Sequence, residues 1–110
     1  MRTPIKVIDL LKITKGEVRN LSGHPRGVAA REFFELDNLD EAGEIVEVCF
    51  PDNLLSVAPS FVQGMFAESY RNLGSEVAFR NHFRWLASEL ILQQLERGIQ
   101  QILAHEIPDD

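Results

Sequence analysis

Few side chains in this sequence stand where they could do chemistry. Cys49 ends the run Ile45-Val46-Glu47-Val48-Cys49. A cysteine reacts as its thiolate and needs a cationic or basic neighbour, which the run does not supply, so Cys49 reads as a buried structural thiol. Ser60 stands at the head of a helical pattern, where its hydroxyl can accept an amide two or three residues on. A phosphate on that hydroxyl would be favoured by the helix dipole and the free first-turn amides. Ser60 lacks the flanking glycines of a nucleophile elbow. His24, His82 and His105 are far apart and show no metal-ligand spacing, and no glycine-rich phosphate loop is present. The expectation is therefore no enzyme, no metal and no cofactor, with a small enzyme using Ser60 or Cys49 as the third reading.

Two basic groupings remain. Arg80, His82 and Arg84 surround Phe83 and could meet nucleic acid or an acidic protein face, or form a solvated strand end. His24-Pro25-Arg26 could receive an anion at a helix start, or be a solvated loop.

The elements that would hold these residues alternate between strand and helix. Residues 5–10 are rich in β-branched side chains and read as a strand. Pro25 suits the first turn of a helix capped near Ser22 or His24, in which Val28, Ala29, Phe33 and Leu36 recur at helical spacing. Residues 38–43 break that pattern. Residues 45–50 are almost continuously apolar, as in a central strand covered on both faces, and Pro51 ends them. Residues 60–73 read as a helix stopped by Gly74. Residues 77–79 read as a short third strand, residues 85–105 as a long final helix, and residues 105–110 as a frayed tail. The product is one α/β domain over residues 1–110: a small, mixed or mostly parallel sheet with about three helices packed on it.

Composition narrows the function classes. The 110 residues carry 11 Lys and Arg against 17 Asp and Glu, a net charge of −6. That balance disfavours nucleic acid and anionic membrane as partners. The single cysteine excludes an intramolecular disulfide. The N-terminal residues carry Arg2, Lys6 and Asp9 and lack a signal peptide's apolar core, and no apolar run approaches the roughly 20 residues of a membrane span. The expected location is the cytoplasm.

The middle of the chain resembles a known family. A hydrophobic strand ending Val48-Cys49-Phe50, a polar linker, and then Ala58-Pro59-Ser60-Phe61-Val62-Gln63-Gly64-Met65-Phe66 are similar to the STAS-like family. There, a small-Ser-Ser-Phe motif opens a helix with a second Phe five residues on; Ser60, Phe61 and Phe66 match it. The resemblance implies a STAS-like sandwich and a bacterial-type regulatory role. In relatives of the anti-sigma factor antagonists, the helix after the central strand meets a switch kinase, which phosphorylates a hydroxyl at the helix start. The motif there is usually Asp-Ser-Ser; here Ala58 and Pro59 replace its first two residues, and Ser60 alone keeps a hydroxyl.

Projected at about 100° per residue, the 60–73 helix buries Phe61, Val62, Met65, Phe66, Tyr70 and Leu73. Its other side carries Ser60, Gly64, Ala67 and Arg71, bounded by Gln63 and Glu68. Gly64 costs about 1 kcal/mol inside a helix, so this small-residue stripe reads either as a surface that a partner backbone approaches closely or as a tolerated glycine. The partner surface is thus expected at Ser60, Gln63, Gly64, Ala67 and Arg71, with a kinase-like regulator as partner and Ser60 as phosphorylation candidate. In the last helix, Leu86 and Leu90 fall on the polar side, either as a patch for a partner or second copy or as residues covered by a loop. A structural accessory subunit or homodimer without a switch is the second reading.

Overall fold

In a computed structural model of the chain, residues 5–105 are described. Their elements run β1 (Ile5–Asp9), α1 (Leu11–Thr14), β2 (Asn20–Leu21), α2 (His24–Phe33), α3 (Leu36–Ala42), β3 (Ile45–Cys49), β4 (Ser56–Val57), α4 (Pro59–Leu73), α5 (Glu76–His82), β5 (Phe83–Leu86) and α6 (Glu89–His105). The protein is an α/β fold in which every strand pairing among the described residues is parallel, the mostly parallel of the two arrangements that the alternation of elements left open. β3 is the centre of a three-stranded sheet ordered β1-β3-β5, and β2 with β4 forms a separate two-stranded sheet. The expected tail lies outside the described residues except for His105, the last residue of α6.

Strand order sets where the core sits. Each strand of the larger sheet is added on the same side of the previous one, and crossovers of the usual right hand then leave the helices on one face. Burial follows that rule. Ile8, Val46, Val48 and Phe83 belong to the core, whereas Val7, Arg84 and Leu86 on the opposite face are exposed and Glu47 and Cys49 half-buried. The expectation that β3 is covered on both faces is met on one alone: Val46 and Val48 are buried, whereas Ile45, Glu47 and Cys49 are half-buried.

α4 is the hub. Phe61, Val62, Met65 and Phe66 are fully buried, and the helix lies against α2, α3 and α6. Phe66 meets the rings of Phe83 and Trp85 edge-on at 5.2 and 5.1 Å between centroids, and Phe83 and Trp85 stack on each other at 5.2 Å. These offsets and edge contacts are the arrangements aromatic quadrupoles favour. α6 presents Ile91, Leu95, Ile99 and Ile102 to the core at helical spacing, and Gly98 lets it sit directly on Val62.

Three expectations are corrected. Residues 77–79 belong to α5, not to a strand; Ser75 caps that helix, its hydroxyl accepting the Ala78 amide at 3.1 Å. The third strand is instead Phe83–Leu86, so Trp85 and Leu86 are not helical and α6 begins only at Glu89. The helix expected through Leu36 stops at Phe33, because Glu35 turns left-handed at φ 55° before α3 starts. The described residues hold six helices where about three were expected; α1, α3 and α5 are 4, 7 and 7 residues long, too short to show a period. No helix among the described residues is long and apolar enough to cross a membrane.

Candidate docking site along the seam of α2 and α4

The small-residue side of α4 is packed against α2. Gly64 and Ala67 are buried there. A Cβ on Gly64 would collide with the His24 carbonyl oxygen, and one on Gly27 would collide with the Phe61 carbonyl oxygen and stand 2.7 Å from the Met65 amide nitrogen. The two helices meet backbone to backbone, which only glycine permits. The close approach anticipated from Gly64 is therefore made within the chain, and Gly64 and Ala67 do not form an outer stripe. The expected core face of α2 is also rotated: Gly27, Ala30 and Arg31 are buried, while Ala29 and Phe33 are exposed.

Ser60 lies exposed in the first turn of α4. It does not cap its own helix; Ala58 occupies the N-cap position without a side-chain bond, and Pro59 opens the first turn. The Ser60 hydroxyl instead accepts the amide of Gly23 at 3.0 Å, tying α4 to the residue that caps α2. Gln63, Gly64, Ala67 and Arg71 do come together: with His24, Val28, Arg31 and Glu68 they line a shallow cleft of about 230 Å³ along the seam. Glu68 and Arg71 are joined by an ion pair at its rim.

Beneath this cleft is a buried polar cluster that the sequence reading did not find. Arg31 donates through Nη1 to the Met65 carbonyl at 2.9 Å and to Ser69 Oγ at 2.7 Å, and through Nη2 to Asp40 at 2.9 Å and to Asp37. Asn72 donates to Asp40 at 3.0 Å, and His82 Nε2 lies 3.1 Å from the other Asp40 oxygen. Burial alone would raise the Asp40 carboxyl, but bonds from His82, Asn72, Ser69 and Arg31 outweigh it and hold it below the usual carboxylate range. The Arg31 guanidinium likewise holds Asp37 low. Ser69, Asp40 and His82 have the residue types of a hydrolytic triad in the wrong order. Asp40 stands among the others as common acceptor, and the histidine is not placed between acid and hydroxyl. The cluster clasps α2, α3, α4 and α5 together. The only signal in the sequence was Arg31 four residues after Gly27, on the side of α2 that turns inward.

The remaining candidates are dispersed. Arg80 is held by Glu76 and, at two positions, by Glu96; His82 is buried on Asp40; Arg84 projects from the open side of β5. The basic-aromatic cluster expected around Phe83 therefore does not assemble into one surface. Partial burial pushes the Cys49 thiol up, and the carboxylates of Glu47 and Asp9 push it further, which disfavours the thiolate. Leu86 and Leu90 are 48% and 50% exposed, and they do not share a helix: Leu86 lies on β5 and Leu90 in the first turn of α6. A cleft of about 400 Å³ is lined by Asp37, Asp40, Glu41, Glu68 and Asn72. Among the described residues no group of three His, Cys, Asp or Glu is placed to hold a metal ion. Comparison of the chain with family models, curated proteins and solved structures finds no match.

Proposed function

We propose that this chain is a non-catalytic, STAS-like regulatory module of the cytoplasm. It works by contact with another protein at the head of α4 and the adjoining seam cleft, and phosphorylation of Ser60 by a kinase-like partner switches it. The observation that carries the reading is the Ser60 hydroxyl, which is exposed yet bonded to the Gly23 amide of the neighbouring helix cap. A phosphate at this position would add about −2 charge and three strong acceptors at the positive end of a 15-residue helix, next to that amide. It would compete for the Gly23 bond and alter the mouth of the cleft lined by His24, Gln63 and Arg71. The placement of α4 directly after the central strand β3 and the short β4 is in keeping with the family resemblance.

The test is mass-spectrometric mapping of phosphate on protein recovered from its own cells, combined with capture of the bound partner by wild type, Ser60→Ala, Ser60→Glu and Gln63→Arg. Phosphate at Ser60, with one partner retained by Ser60→Ala and lost with Ser60→Glu and Gln63→Arg, is the expected result. Equal capture by all four proteins, or an unmodified Ser60 throughout, would overturn the reading. Gly64→Arg is unsuitable as a surface variant, because it would drive a side chain into the α2 backbone.

A further inference from the structure

We propose that the β3–β5 half of the open face of the β1-β3-β5 sheet is a self-complementary interface whose occupant is a second copy of this chain. The two sheets stack face to face about a two-fold axis that runs along the strands, midway between β3 and β5. This surface is separate from the Ser60 face and does not depend on how that face works.

A parallel sheet is normally covered on both faces, whereas here the second face leaves Val7, Arg84 and Leu86 exposed and Glu47 and Cys49 half-buried. Register arranges this face in rows. Val7, Glu47 and Arg84 stand side by side on neighbouring strands, and Asp9, Cys49 and Leu86 form the next row. Leu86, at 48% exposure, is one of the large apolar side chains exposed among the described residues, and Val7, on β1, lies beside the overlap rather than within it. Glu47 and Arg84 are direct register partners of opposite charge, yet no ion pair joins them among the described residues, whereas Arg31, Arg71 and Arg80 each hold a carboxylate.

The occupant follows from that pattern. Rotation by a half-turn about the stated axis carries β3 of one copy over β5 of the other. Glu47 then faces the second copy's Arg84 at the same height along the strands, and Arg84 faces its Glu47. In the adjacent row Cys49 faces Leu86, twice over. One unpaired acid and one unpaired base on neighbouring strands thus become two ion pairs flanked by two apolar contacts, the reciprocity a two-fold interface requires. Strands about 4.8 Å apart, rising about 3.3 Å per residue, give an overlap well below the roughly 800 Å² per partner of a standard interface, so the dimer is weak and dependent on concentration.

Sedimentation velocity of the full chain from about 10 µM to 1 mM tests this, a range suited to a weak, concentration-dependent association. The sedimentation coefficient is expected to rise toward the dimer value with concentration. Glu47→Arg and Arg84→Glu should each weaken association roughly tenfold or more by placing like charges opposite one another, and the double reversal should recover most of the loss. Circular dichroism checks that the variants are folded. Independently of any variant, stacking sheets about 10 Å apart puts the two Cys49 Cα atoms roughly 11 Å apart, so a short bis-maleimide should join two wild-type chains through Cys49 in proportion to the dimer. A monomer at every concentration, a dimer indifferent to both reversals, a double variant that regains nothing, or a dimer that Cys49 cannot cross-link would each overturn the proposal.

Discussion

Gly27 and Gly64 lie back to back where α2 packs on α4. A Cβ on Gly27 would stand 3.0 Å from the Gly64 carbonyl carbon, and one on Gly64 would stand 3.1 Å from the Val28 amide nitrogen. Two opposing effects decide what alanine does there. Alanine favours the helix by about 1 kcal/mol over glycine, but here its methyl has only rigid backbone to push against. The clash wins. Gly27→Ala and Gly64→Ala should each lose roughly 2 kcal/mol, with a melting temperature lower by about 10 °C, read by thermal and urea denaturation. A variant as stable as wild type would mean that the seam yields.

Two arginines that each engage carboxylates should differ sharply in their worth. Arg31 is buried against Asp40, whose side chain is 1% exposed. Removing it leaves that carboxylate desolvated, and Arg31→Ala should cost about 3 kcal/mol or more. Arg80 binds Glu76 and Glu96 at the surface, where water and salt screen the charges, so Arg80→Ala should cost less than about 1 kcal/mol. Urea denaturation of the two variants side by side checks the contrast.

Asp40 also sets an acid limit. Its folded pKa lies below the unfolded value of 3.8, so its contribution is fully present above that value and is lost as pH falls through the folded one. Stability should therefore drop on acidification from about pH 4 downward. Asp40→Asn should lower stability at neutral pH and flatten this acid slope, measured as the denaturation midpoint against pH. An unchanged slope would show that other carboxylates carry the transition.

Ser60→Ala should matter little for folding. One exposed hydrogen bond to the Gly23 amide is lost, worth roughly 0.5–1 kcal/mol. The local effect is the more telling one: amide exchange at Gly23 should quicken while the core of α4 stays protected. Protection unchanged at Gly23 would mean that the Ser60 hydroxyl does not hold the cap of α2.

Pattern and punctuation alone determined the α/β alternation, a mixed or mostly parallel sheet, β1, β3, and α4 with its Gly74 stop. These are long or strongly apolar segments whose period and end signals are local properties. The buried side of α4 was legible in part: Phe61, Val62, Met65, Phe66 and Tyr70 are buried as their shared arc predicts, whereas Leu73 is half-buried and Gly64 and Ala67 are buried on the side read as outer. At residues 75–86 the local pattern misled: Val77-Ala78-Phe79 read as a strand and residues from Trp85 as a helix, where the chain forms helix α5 and strand β5. Tertiary structure decided this, because Phe83 and Trp85 pack on Phe66 only if residues 83–86 lie beside β3. The same holds for the candidate site. A glycine inside a helix showed that Gly64 either receives a close approach or is tolerated, but not which, nor that α2 is what approaches. The union of Arg31, Asp40 and His82 joins residues 9 and 42 positions apart, and no local spacing encodes such a contact. It exists because burying one charged group required the chain to bring every partner to it, and only the packing of four helices could do so.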